Sequence, residues 1–146
     1  MKFKFISPKD PYYRDERMLR WEVLRKPLGM PPGSEMHPED PDSFHLIALE
    51  KKKLIGCVIF HPESNDSGRV FHLALSEDYR GKGFGRQMMA TLESHLVEKG
   101  IQNLYILARE DVLGFYKRIG FACEGPLVDV LGTPHYKMKK TLLAAA

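Results

Sequence analysis

Cysteine and tryptophan are scarce in this chain, with two and one among 146 residues. Two cysteines cannot build a disulfide framework, and set far apart in the chain they give no zinc spacing. Cys57 and Cys123 each stand in an apolar stretch, LIGCVIF and GFACEG, and both read as reduced core thiols. No apolar run approaches about 18 residues, so no membrane-spanning helix is expected. The start, MKFKFISPKD, is too polar for a signal peptide, which makes the cytoplasm the expected compartment. An excess of one charge is also missing. The formal net charge is only +3, which argues against a dedicated nucleic-acid binder. No repeat or low-complexity tract is found, apart from Ala144-Ala145-Ala146, which reads as a frayed end or an expression scar.

What is there suits an ordinary globular domain: 43% hydrophobic and 28% charged residues. The length fits one domain over 1–146, with a core over about 2–142. Residues Arg14 to Arg25 read as a helix with an imperfect stripe of Met18, Trp21, Val23, Leu24 and Leu28, and Trp21 reads as core. Prolines 27, 31, 32, 38 and 41 then exclude regular helix or central strand, leaving a long loop. That loop carries Glu35, Glu39, Asp40 and Asp42 with no Lys or Arg between them, either as a solvated charged surface or as a lure for a cationic amine. FHLIAL (44–49) and LIGCVIF (54–60) read as a hairpin, and VFHLAL (70–75) as a third strand. Phe84, Met88, Leu92 and Leu96 recur every four residues in a strong helix stopped by Gly100. A strand at 104–107, a short helix at 110–119 and strands at 121–123 and 136–138 complete the order β-α-β-β-β-α-β-α-β-β. This is an α/β domain with one mixed sheet, and ligands of such sheets gather at strand-to-helix junctions.

One junction stands out. Arg80-Gly81-Lys82-Gly83-Phe84-Gly85-Arg86 lets the backbone approach a ligand closely and leads into a helix N-terminus, amid three cations. That combination describes an anion site suited to a pyrophosphate. It is not a Walker loop, because Lys82 is followed by Gly83 rather than Ser or Thr. Nor is it a dinucleotide fingerprint, because the spacing is GxGxG and the next strand, NLYIL, ends without an acid.

Arg80-x-x-Gly83-x-Gly85 resembles the acetyl-CoA pyrophosphate motif of the GNAT superfamily of N-acetyltransferases. Gly114-Phe115-Tyr116-Lys117-Arg118-Ile119-Gly120-Phe121 resembles that superfamily's second motif, and the likeness runs over nearly the whole chain. The pieces LRKPLGMP, FHLIAL, ILARED and TPHYKMKK resemble an ElaA-like bacterial branch. The resemblance implies a mixed, mostly antiparallel central sheet flanked by helices, with strands splayed at the acetyl-CoA site. It implies direct acetyl transfer from acetyl-CoA to an amine, small-molecule or peptide, with no metal and no covalent acyl-enzyme. Phe71, Leu73, Ala74 and Leu75 would meet the pantetheine, and Arg80, Gly81, Lys82, Gly83, Phe84, Gly85 and Arg86 the pyrophosphate. Tyr116 occupies the general-acid position and would protonate the departing thiolate. A non-catalytic acyl-CoA sensor is the alternative, and a homodimer is left open.

The harder step is taking a proton from the amine. A lysine-like amine, with a pKa near 10.4, makes this cost roughly 4–5 kcal/mol at neutral pH. His45, His72 and His135 are the candidate bases, with Glu35 a further one. Phe115 and Tyr116 are neighbours on one helix, so they are expected to face different surroundings.

Overall fold

The computed structural model describes residues 1–142; the alanine tail lies outside the described residues. Eight strands and three α-helices follow in order: β1 Lys2–Ile6, α1 Tyr13–Arg20, β2 Phe44–Glu50, β3 Lys53–Pro62, β4 Ser67–Leu75, α2 Phe84–Glu98, β5 Asn103–Ala108, α3 Leu113–Arg118, β6 Ala122–Cys123, β7 Val128–Val130 and β8 Thr133–Thr141. The expected order is recovered, with β7 added as a short partner of β8. The sheet runs β1-β2-β3-β4-β5-β8-β6. Every ladder is antiparallel except β4–β5.

Alternation along the strands splits the core into two layers. On one face Leu46, Val58, Phe60, Val70, Leu104 and Met138 pack under α2, whose Met88, Leu92 and Leu96 are wholly buried. On the other, Ile47, Leu49, Cys57 and Ala74 pack under Leu19 of α1. Gly100, at φ +84°, ends α2 as expected. Cys123 departs from its expected place in the core. It is exposed, because β6 is a two-residue strand at the sheet's edge. Trp21 is half-buried and donates its indole N–H to the Met30 carbonyl, 2.9 Å away. The helical stripe is imperfect because α1 stops at Arg20 and a wider π turn runs over Trp21–Arg25.

Two acids of the loop are neither solvated nor open to a cation, while Asp42 is exposed and Glu39 half-exposed. Glu35 and Asp40 are buried against α1. The fully buried Arg20 donates to Asp40 Oδ2 at 2.9 Å, to Glu16 Oε2 at 3.0 Å and to the Glu35 carbonyl. Tyr13 donates to Asp40 at 2.6 Å, and Arg17 pairs with Glu35 at 3.0 Å. His45 closes the cluster. Its Nδ1 lies 3.0 Å from the Glu16 carboxylate and its Nε2 lies 2.8 Å from the Asp40 carbonyl. Both partners accept, so both ring nitrogens donate and His45 is an imidazolium. Burial works against that charge, but the Glu16 hydrogen bond and charge outweigh it and raise the pKa above the ordinary 6.5.

The sign of the linkage follows. A histidine whose folded pKa is raised stabilises the fold fully below its unfolded value, about 6.5, and loses this as pH rises through the folded value. Urea midpoints of the parent should therefore fall as pH climbs above about 6.5, and His45→Gln should flatten that slope. An equal slope in both proteins would show that His45 is neutral.

Candidate active site

β4 and β5 pair over only three positions, Ser67 with Asn103, Gly68 with Leu104 and Arg69 with Tyr105. Beyond them the two strands part. β4 continues along β3 as far as Leu75, and β5 along β8 as far as Ala108. The parted edges carry backbone donors and acceptors with no strand partner between them, and such groups call for another partner.

A cleft of about 900 Å³ occupies this end of the sheet. One wall is Leu73, Ala74 and Leu75 of β4, and its floor is the glycine loop. Gly81 and Gly83 take φ +72° and +86°, a left-handed backbone that favours glycine. A Cβ at either would meet nothing within 4 Å, so these glycines serve the turn and the open space above it. Gly83 caps α2 without any side-chain hydrogen bond, which leaves first-turn amides and the positive end of a 15-residue helix facing outward. Arg80 folds back and donates from Nε to the Leu75 carbonyl at 3.0 Å, bridging loop and strand. Phe84, Gly85 and Arg86 also line the cleft. Lys82 does not; its ammonium rests 6.0 Å from the centre of the Tyr79 ring. Phe71 points to the opposite face of the sheet, with His37 and His72 around it, and stays outside the cleft.

α3 supplies the facing wall. Phe115 and Tyr116 both border the cleft, although adjacent residues on a helix were expected to part company. They point about 100° apart, and the cleft is wide enough to meet both. Their rings stand edge to face at 5.1 Å, and Tyr116 meets Phe121 likewise at 5.6 Å. Phe115 rests on Gly85, where a Cβ would sit 3.4 Å from the ring. Burial raises the Tyr116 phenol above its ordinary 10.0, opposed by the nearby Arg109 charge, so the group stays protonated. Sequence reasoning missed a third wall. Val23, Leu24 and Pro27 reach the cleft from the π turn and the turn after it. Arg109 also reaches it, from the end of β5. The broken periodicity at Trp21–Arg25 was the available signal for that wall.

None of the four candidate bases borders the cleft. His45 is in the buried cluster with both nitrogens donating. Glu35 is fixed by Arg17 and by the Gly33 amide at 2.7 Å. Burial works against its charge, but these bonds hold its pKa below the ordinary carboxylate value. His135 is half-buried on β8, where its Nδ1 donates to the Thr133 carbonyl at 2.9 Å. His72 sits in a bulge where His72 and Leu73 oppose Val58 alone, and it takes φ +53°. Arg25 donates to its Nε2 at 3.3 Å, so the ring proton is on Nδ1 and the lone pair is engaged. Among the described residues no three His, Cys, Asp or Glu converge as metal ligands, and no helix is long and apolar enough to cross a membrane.

The comparisons with known proteins fall on this same architecture. The Acetyltransferase (GNAT) family matches residues 11–121. An acetyltransferase of Yersinia pestis is 30% identical over 124 residues, covering 78% of this chain and 84% of that protein. The chain belongs to the GNAT acetyltransferase family. Two solved GNAT-like folds align over most of this one. Escherichia coli ElaA superposes with a TM-score of 0.81 at 17% identity, over 95% of this chain and 98% of the other. A GNAT acetyltransferase from Elizabethkingia anophelis, solved with acetyl-CoA bound, superposes with a TM-score of 0.74 at 14% identity, over 97% of each chain. At these identities the two structures speak to the fold, which in this GNAT chain is the mixed, mostly antiparallel sheet with helices on both faces.

Burial, then the charges of Arg20, Arg25, His37 and Arg69, holds His72 well below the ordinary imidazole value. In an NMR titration of the histidine rings, His72 should keep its proton on Nδ1 and be the last to charge as pH falls. Titration of His72 at an ordinary value near 6.5 would overturn its assignment as a neutral donor.

Proposed function

We propose that this chain moves an acetyl group from acetyl-CoA to a primary amine by direct attack. The observation that carries the proposal is the cleft itself, with parted strands at its wall, a helix N-terminus at its floor and a protonated phenol facing them. The residues suit acetyl-CoA chemically. Amides from Gly81 to Arg86, with the α2 dipole, are suited to a pyrophosphate. The free edge of β4 at Leu73, Ala74 and Leu75 is suited to the pantetheine amides. When bound, acetyl-CoA supplies an activated thioester carbonyl. Tyr116 holds the proton that the departing sulfur takes up. The amine arrives with none of the four candidate bases at hand, so its proton leaves to water or to one of the carboxylates that border the cleft, Glu22, Glu77 and Asp111. Backbone donors and the helix terminus do the work a metal would do, and no metal is required.

Two variants test this reading. Gly83→Val forces a β-branched residue into the left-handed region and puts a side chain over the anion floor. Acetyl-CoA affinity by calorimetric titration should fall about tenfold or more, in a protein that still folds; unchanged affinity would refute the pyrophosphate assignment.

Tyr116→Phe removes only the hydroxyl. Turnover in a thiol-release assay should drop roughly ten- to a thousandfold, with acetyl-CoA binding kept within a few-fold. Because burial raises the phenol pKa, the deficit should persist up to about pH 10 rather than shrink there. Equal turnover in parent and variant would reduce Tyr116 to a packing role. A parent that binds acetyl-CoA and releases no thiol with any amine would indicate a sensor instead.

A further inference from the structure

The sheet face opposite α2 carries three charged side chains without a carboxylate partner at the point where β4 and β5 part. Val70, Leu104 and Met138 point into the α2 core, so their neighbours Arg69, Phe71, Tyr105 and Lys137 point to this opposite face. Arg69 pairs with Tyr105 as the last step of the short β4–β5 ladder. Its guanidinium lies 5.4 Å from the Phe71 ring centre, and its Nε is buried without an acceptor. Lys137 holds its ammonium 4.8 Å from the Tyr105 ring centre. Arg25 reaches only neutral groups: the carbonyls of Leu24 and Ser34, and the His72 ring. A second donor is stranded beside them. The His72 Nδ1, which must carry the ring proton, is buried with no partner. Buried donors are nearly always satisfied, so two orphans beside unpaired cations are an imbalance in need of an acceptor.

The acids nearby do not correct it. Glu35 and Asp40 are held by Arg17, Arg20 and Tyr13. Glu39 pairs with His61 at 3.2 Å, and Glu63 accepts from the Tyr105 hydroxyl at 2.6 Å. The loop that looked from sequence like a lure for cations has spent its two buried acids on α1, and what remains at the parting of the strands is net positive.

We infer that the acceptor is an amine that also carries a carboxylate, held by Arg69 and Lys137 on this face while its amine reaches into the gap between β4 and β5. The inference rests on the acetyltransferase reading above and names the substrate class of that site. A guanidinium receives a carboxylate through paired N–H donors, and Lys137 adds a point charge from β8, on the far side of β5. The same cations disfavour an ammonium beside them, which eases its deprotonation.

The test is a thiol-release assay with acetyl-CoA and a matched panel: L-amino acids, their carboxamides, an acidic tetrapeptide and spermidine. Amino acids should exceed their carboxamides in kcat/KM by roughly tenfold or more, as expected for a charge-assisted hydrogen-bond pair. The tetrapeptide, if it outruns the free amino acids, assigns the carboxylate to a peptide rather than to a free amino acid and upholds the inference. Arg69→Gln should bring the ratio of amino acid to carboxamide towards one, chiefly through KM. Lys137→Gln should shift it the same way by less, and serves alone if the first variant does not fold. Rising salt should compress the ratio in the parent. Spermidine or the carboxamides as the better substrates, or a ratio indifferent to both variants, would overturn this inference and leave the acetyltransferase reading standing. Absence of thiol release with every amine would overturn that reading and this inference together.

Discussion

The organising constraint of this molecule is that β4 and β5 stay together for only three residue pairs. A parallel pair in mid-sheet would normally run the length of its strands, since unpaired backbone groups in an interior are costly. Here the ladder stops at Arg69 and Tyr105, and the features of the site follow from that. The cleft opens because the strands part. The glycine loop floors it because the loop leaves β4 at the open end. α3 can wall it because β5 is carried away along β8. The cations at the apex are stranded because Arg69 is the last residue still paired.

Two departures from regular structure sharpen this arrangement. The bulge at His72 and Leu73 shifts the register of β4 against β3, so that Leu73 to Leu75 border the cleft while Phe71 stays on the far face. The π turn after α1 brings Val23 and Leu24 over the same cleft. Neither is a defect in a local sense. Each redirects a few side chains that a regular strand or helix would have aimed elsewhere.

The glycine loop and α2 were legible because their signals are local: three glycines, flanking cations and a four-residue apolar repeat. The hairpin and the central strands were legible for the same reason. The misplacements share a different cause. GFACEG reads as core, yet Cys123 is exposed because only the sheet order tells that β6 is an edge. Glu35 and Asp40 looked solvated because their partners, Arg17 and Arg20, lie on another element with no sequence mark of the pairing. No glycine announces the bulge at His72, whose positive φ is uncommon for a non-glycine residue. The strand β7 is three residues long and gives no alternation to read.

The buried cluster of Arg20, His45, Glu16 and Asp40 holds two positive and two negative groups, an internal salt sealed from water. Separating the loop from α1 would strand charges in a poorly solvated interior, which costs several kcal/mol for each unpaired ion. The proline-rich segment is therefore not a lid. It is pinned to α1 by its buried acids, and of its prolines only Pro27 borders the cleft. Replacing one member of the cluster would leave its partners buried and unpaired, so a different seat for this loop would require exchanging several charged side chains together.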